Sequence, residues 1–423
     1  MNIRQSMQDH WPWLRALCVF LAFGSAVFLR FASVHAYRRA TPGIAVQDNY
    51  FVTTSAGTLG VRPVAAGEQV VLRGGHITGT EYECLVGDYV YDTIPLNQAL
   101  IDAILAWHAN VVRIPLSEDC WLGVPASNPP PAATSGTNYS GPISTFVNLA
   151  TRSGLIVELN LHSGNGPYLV KSGNNSSQLP AMDTNYFGAF WQSVAATFEN
   201  NPSVIFNLTN EPEFDSDSDW PCYRNGGCST EGLSNSYSSS EKKYYYRVLG
   251  TQMVVNTIRA TCARNPIIIA GINYSNQLDD WLEYVPSDSI ATQNDPHGQM
   301  IAGIHIDFDG LNCEDPACWT SVFGRIQAAG SPIVIDETGE GDPVRNTPTK
   351  GDMGCGSGRE KTLTAWADAQ SQPVGNWFWA FTMVDWPDCP NGPDLLEGPN
   401  APPPFTAWPN YGTFAQSHLQ SVQ

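Results

Sequence analysis

The chain has 423 residues, of which only 14% are charged, with 37 glycines, 31 prolines, 13 tryptophans and 16 tyrosines. That length supports one large domain with a full core, and the loop-rich, aromatic, weakly charged composition suits an exported enzyme better than a cytosolic one. A net charge of −19 repels nucleic acid and acidic polymers, so the expected partner is uncharged.

In chain order, residues 1–36 read as a targeting segment and 37–423 as a single catalytic domain. Arg4 and Arg15 precede the apolar run 16–29, and Val34-His35-Ala36 has small residues at the offsets of a cleavage site. The run is short for a membrane span, and Arg30 interrupts its end. The expectation is a cleaved signal peptide and a secreted, periplasmic or extracellular protein. The alternative is an uncleaved anchor that tethers the protein to a membrane, facing outside.

A hairpin pattern over 49–72 comes next. Strand-like runs then follow at 69–77, 111–116, 155–162, 204–210, 266–272, 300–306, 332–337 and 375–381. Most are continuously apolar, as parallel strands covered on both faces are. Helical patterns lie between and after them at 96–109, 143–152, 185–199, 241–264, 276–284, 317–329, 360–369 and 411–419. The alternation predicts an α/β fold, a closed (β/α)8 TIM barrel with a small N-terminal β-hairpin. An open doubly wound sheet is the alternative, but it carries a Gly-rich phosphate turn that this chain lacks. Long connections at 117–142, 163–184 and 212–240, rich in Asn, Ser, Gly and Pro, would shape a cleft at the C-terminal face.

Two segments carry the chemistry. VIFNLTNEPE over 204–213 is an apolar run ending in Asn210-Glu211-Pro212, and PIVIDETG over 332–339 is another ending in Glu337. A carboxylate at the tip of a buried strand is costly and implies use, and Pro212 stops the strand. Two such glutamates equip a retaining glycosidase, one as acid/base and one as nucleophile. Glu211 is assigned as acid/base, beside Asn210, which can bond a sugar 2-hydroxyl; Glu337 is assigned as nucleophile.

Other polar residues gather at strand ends. Arg113 in VVRIPL would hold the nucleophile ionised and oriented. His162 and His305 would line the cleft and bond sugar hydroxyls or the carboxylates. Trp377 and Trp379, two apart in NWFWAF, share a strand face and offer a plate for a pyranose ring, with core packing as the alternative for one of them. Trp121, Trp220 and Trp386 are further candidate platforms in loops. Asp215, Asp217 and Asp219 resemble the start of a calcium loop but lack its glycine and its final glutamate, so they read as a solvated acidic turn, with a loose calcium site as the alternative.

The cysteines agree with export. Cys222 with Cys228 and Cys313 with Cys318 flank short loops, while Cys84 with Cys120 and Cys355 with Cys389 would tie longer ones. Cys262 lies on a helical pattern and reads as a buried free thiol. No spacing suits a zinc site, and no metal or cofactor is expected.

The segments NLTNEPE, IDETGEG, VVRIPLSEDCWLG, LNLH and VLRGGHITGTEY resemble family 5 glycoside hydrolases, the cellulase A family, and bacterial exported members in particular. The resemblance spans most of 69–381. It implies a (β/α)8 barrel and retention of configuration, with Glu211 on the fourth strand and Glu337 on the seventh. It places the substrate-binding residues at Arg113, His162, Asn210, His305 and a tryptophan of the eighth strand. One departure stands out: the sixth strand of the family usually reads His-x-Tyr, and Asp307 occupies the tyrosine position here. Asp307 either points away, or tunes the pH optimum, or leaves another tyrosine to take that place. His76 likewise replaces the usual asparagine of the first strand.

The function expected from these residues is endo-β-1,4-glucanase-like hydrolysis of a β-glucan. Alternatives are a β-mannanase or another β-glycosidase of the family, or a carbohydrate-binding pseudoenzyme for which Asp307 is the support. The expected partner is a neutral polysaccharide or oligosaccharide, bound by a monomer, with membrane contact only through an uncleaved N-terminal segment.

Overall fold

Short antiparallel strands come first. β1 (Ile44–Gln47), β2 (Tyr50–Thr53) and β5 (Gln69–Val70) form one small sheet, and β3 (Gly57–Leu59) pairs with β4 (Arg62–Val64). Eight parallel strands follow and close on themselves: β6 (Arg73–His76), β7 (Val111–Ser117), β8 (Ile156–Ser163), β9 (Val204–Asn207), β10 (Ile267–Ala270), β11 (Met300–Ile306), β12 (Ile333–Thr338) and β13 (Gly375–Phe378). β13 returns to pair with β6, so the sheet is the closed barrel expected. This computed structural model describes residues 40–81, 84, 95–124, 131–164, 181–232, 246–292, 297–307, 313–339, 358–381, 395, 406–407 and 411–422.

Each barrel strand sends alternate residues inward. Val111, Ile156, Ile205, Ile268, Ile301, Val334 and Trp377 form an apolar layer inside the barrel, and Ile44, Val46, Phe51 and Val70 of the N-terminal sheet join the same cluster. The hairpin region therefore plugs the barrel at its N-terminal end. Two residues further along the strands, the inward positions turn polar: Arg113, Glu158, Asn207 and Asp336, all buried. The outward faces pack against helices that include Gln98–Ala106, Thr137–Ser153, Phe187–Phe198 and Pro316–Ala328.

Several boundaries differ from the sequence reading. The run 69–77 is split between β5 and β6. Gly74 and Gly75 let β6 approach both neighbours: a Cβ on Gly74 would lie 1.9 Å from the Val111 carbonyl, and one on Gly75 2.8 Å from that of Phe378. The helix expected over 241–264 covers only Thr251–Ala260 among the described residues, because Gly250 at φ 84° starts it and 246–249 run extended against Met182 and Cys228. The pattern at 276–284 yields a helix only over Trp281–Tyr284.

Disulfides join Cys84 to Cys120, Cys222 to Cys228 and Cys313 to Cys318 as expected. Cys355 and Cys389 lie outside the described residues. Cys262 corrects the free-thiol reading: it is exposed and disulfide-bonded, with its partner outside the described residues. It follows the helix end with φ 74°, which takes it off the buried helical face. The targeting segment also lies outside the described residues. Among those described, no helix is long and apolar enough to cross a membrane.

Candidate active site

Glu337 occupies the end of β12, where the pairing register with β11 shifts so that His305 lies opposite it. Glu211 follows β9 on a segment tied from both sides. The Asn210 N–H donates to the Leu161 carbonyl at 2.9 Å, and the Ser275 hydroxyl donates to the Asn210 carbonyl at 2.6 Å. These ties carry the two glutamates to one place. One donor atom from each of Glu211, His305, Asp307 and Glu337 lies within 4.8 Å of the other three. Glu337 is 8% exposed and Glu211 half-buried, so both open toward the cleft from a largely dry setting.

Arg113 is fully buried, donates from one terminal nitrogen to Glu337, and donates from the other to Asn210 Oδ1. His305 Nδ1 lies 3.0 Å from Glu211 Oε1 and 3.8 Å from Glu337 Oε2, while its Nε2 lies 3.7 Å from Asp336 Oδ2. Burial alone would lower the His305 imidazole, but Glu337, Asp336 and Glu211 outweigh it and hold the ring cationic, well above its ordinary value. Burial raises the Glu337 carboxyl above its ordinary value; His305 and Arg113 pull it back, and Glu211 adds to the rise. Three carboxylates and a histidine are a donor set a cation could use. Arg113 and the His305 imidazolium already stand against them, so the geometry reads as an acid–base centre.

Two more histidines face this centre in neutral form. His76 is fully buried, accepts an N–H from Arg113 at 3.1 Å, and is lowered well below its ordinary value by burial and by Arg113. Burial and Arg113 likewise push His162 down to about 3. Trp379 lies beside both, with ring centroids 5.0 Å from His76 and 6.3 Å from His162, and it is half-buried at the rim. It is therefore placed to present a ring to the cleft.

The other tryptophans correct the sequence reading. Trp377 is fully buried in the apolar barrel layer, two positions before the rim residue Trp379, so it is core and cannot bind substrate. Trp121 is 5% exposed and packs against Tyr139, Phe190 and Phe198; Trp220 is 1% exposed and stacks on Tyr284. Trp386 lies outside the described residues. In the acidic turn, Asp219 is buried at the start of a helical segment and Asp217 accepts from Gln277, so the turn is only partly solvated.

Several residues of the site were missed. Glu158, Asn207 and Asp336 form a polar layer beneath the glutamates. Asn207 Nδ2 donates to Glu158 at 2.8 Å and to Asp336 at 2.6 Å, and Arg113 Nε lies 3.0 Å from Glu158 Oε1. Gly303 makes room for this layer, since a Cβ there would come within 2.9 Å of Asp336. Burial lifts Glu158 to about 8 despite Arg113. A charged residue in the middle of an apolar strand was the available signal for Glu158. Tyr274 had no such signal. It sits in a turn whose three residues, Asn273, Tyr274 and Ser275, have φ of 52°, 57° and 61°. Left-handed backbone in three consecutive non-glycine residues is strained. Bonds from Asn273 N to the Phe214 carbonyl at 2.6 Å and from Tyr274 N to the Pro212 carbonyl at 3.0 Å brace it against the Glu211 segment. Burial, then Glu213, Glu211 and Asp215, raise the Tyr274 phenol to about 12.

The model of the cellulase family, glycosyl hydrolase family 5, matches residues 65–382. The chain belongs to that family. It is a glycoside hydrolase whose relatives in the family are retaining β-glycosidases. Among solved structures, a mannanase catalytic domain from Streptomyces sp. SirexAA-E is 18% identical with a TM-score of 0.52, covering 90% of this chain and 93% of its own. A hyperthermophilic endocellulase from Pyrococcus horikoshii is 16% identical with a TM-score of 0.56, covering 90% of this chain and 99% of its own. An endoglucanase catalytic domain from Thermobifida fusca is 14% identical with a TM-score of 0.53, covering 89% and 97%. Identities this low show the shared barrel. A comparison with curated protein sequences found no match.

Proposed function

We propose that this family 5 hydrolase is an exported endo-acting β-1,4-glucanase in which Glu211 is the acid/base and Glu337 the nucleophile. The carrying observation is the convergence of the two carboxyl groups, with donor oxygens within 4.8 Å of each other. Retaining glycosidases hold their carboxyls about 5–5.5 Å apart, whereas inverting ones leave room for a water at about 6.5–9.5 Å.

In the first step Glu337 attacks the anomeric carbon while Glu211 passes its proton to the leaving oxygen. In the second, Glu211 takes a proton from water, which displaces the sugar from Glu337. Arg113 keeps the attacking oxygen of Glu337 oriented. Asn210, held by Arg113, binds the 2-hydroxyl of the sugar, and His162, His305 and Trp379 line its subsite. Export is supported by the leader pattern of residues 1–36 and by the disulfides. The domain 37–423 acts as a monomer on a neutral glucan.

The test is turnover of barley glucan, carboxymethylcellulose, mannan and xyloglucan by the wild type, with Glu211→Ala and Glu337→Ala as controls. Glucan turnover abolished in both variants is the expected result. Mannan as the preferred substrate replaces the glucanase assignment with a mannanase. Binding of glycan without turnover establishes the pseudoenzyme instead, and variants as active as the wild type overturn the residue assignment.

A further inference from the structure

The acid/base carboxyl faces a conflict. Glu211 must hold a proton to act as an acid, yet a cationic His305 lies 3.0 Å from its Oε1 and favours its ionised form. Among the described residues, titratable groups around Glu211 include His162 from β8, Tyr274 from the turn after β10, Asp307 from the end of β11 and Glu337 from β12, with Asp336 of β12 3.7 Å from His305 Nε2. Arg113 of β7 reaches Glu337 and the neighbouring Asn210. His162 and Tyr274 are neutral, so the negative charges that oppose His305 include those of Glu337, Asp336 and Asp307. Where the family usually carries a tyrosine, this chain places a second repelling carboxylate, with a donor oxygen within 4.8 Å of both glutamates.

We propose that Asp307 is a positioning residue for the catalytic proton: its charge offsets the pull of His305, keeps Glu211 protonated to higher pH, and so moves the working window of the enzyme upward. This rests on the assignment of Glu211 and Glu337 given above. The effect is unequal on the two glutamates. Glu337 is held by Arg113 as well as lying 3.8 Å from His305, and those cations resist the added negative charge. Glu211 lies 3.0 Å from His305 and, on this proposal, has the larger response to Asp307. Activity on the acid side requires Glu337 ionised, and activity on the alkaline side requires Glu211 protonated. Removing the Asp307 charge therefore lowers both limbs, the alkaline limb most.

The experiment is the pH profile of kcat/KM on the glycan that the wild type turns over, for Asp307→Asn, Asp307→Tyr and Asp307→Glu. It is paired with nitrogen-15 NMR titration of His305 in each protein. Asp307→Asn and Asp307→Tyr should lower the alkaline limb by about one pH unit and the acid limb by less. Asp307→Glu should restore the wild-type window. The His305 titration should fall in the Asn variant, since a carboxylate with an oxygen within 4.8 Å of a ring nitrogen loses its charge. An alkaline limb that does not move overturns the proposal, as does a uniform loss of rate at every pH, which marks Asp307 as a substrate contact only. If the wild type turns over no glycan, the functional assignment fails by itself. The His305 titration then decides: a fall supports the field of Asp307, and an unchanged titration removes it.

Discussion

Arg113 ties the cleft to the layer beneath it: one terminal nitrogen donates to Glu337, and its Nε lies 3.0 Å from Glu158 Oε1. The approach to Glu158 is an ion-pair distance without hydrogen-bond alignment. The directed bonds of the guanidinium therefore go to Glu337, Asn210 and His76. A lysine cannot reproduce that fork. Arg113→Lys should lower kcat about a hundredfold through a misplaced nucleophile. Arg113→Ala should also cost about 3–5 kcal/mol in urea unfolding, because it strands buried carboxylates. Wild-type kcat in Arg113→Lys would show that orientation by the fork is not needed.

The two tryptophans of the eighth barrel strand should separate cleanly. Trp377→Ala empties the barrel core and should cost about 3–5 kcal/mol of stability. Trp379→Ala, at the half-buried rim, should leave the unfolding midpoint nearly unchanged and raise KM on glycan. Measuring both variants by denaturant titration and by kinetics checks the assignment. A raised KM with intact stability in Trp377→Ala would contradict its place in the core.

Stability should fall as pH rises across the neutral range. Glu118, fully buried, is raised well above its ordinary value by burial and by Asp183 and Asp119, and Glu158 is raised from 4.5 to about 8. A carboxyl with a raised folded-state value holds its proton more tightly in the folded chain. Its stabilisation is complete below the unfolded value and is lost as pH rises toward the folded one. The urea midpoint should therefore decline between about pH 6.5 and about 8, inside the window of the Glu158 values and above the range in which the buried neutral His76 and His162 add stability as pH rises. Glu118→Gln, an uncharged isostere, should flatten the decline. A decline as steep as the wild type's would exclude Glu118 as a contributor.

The disulfides should differ in weight. Cys84–Cys120 spans 36 residues and Cys222–Cys228 only 6. By loop-closure entropy, replacing the first pair with serine should cost about 4 kcal/mol and the second about 2 kcal/mol. Thermal unfolding of the two double variants gives the comparison, and a larger loss from the shorter loop would point to native contacts as the dominant factor.

The barrel was legible because eight strands buried on both faces must be apolar throughout, and such runs stand out against amphipathic helices. Glu211 and Glu337 were legible for the complementary reason: a carboxylate at the end of an apolar strand has no place in a core. The failures share a cause as well. Trp377 and Trp379 have the same chemistry and the same strand face, and only depth along the barrel makes one core and the other cleft. Cys262 looked like a buried helical residue until the helix ended two residues before it.

Sequence alone determined the fold class and marked the paired glutamates and three of the disulfides as candidates, because strand periodicity and strand-end charge are local properties. Tertiary structure alone decided which polar residues meet. Asp307 turning into the cleft, His305 standing between two glutamates, and Arg113 joined to residues 97 and 224 positions away depend on barrel closure and strand register. Those settings govern proton affinity, which follows distance and burial in space rather than order along the chain.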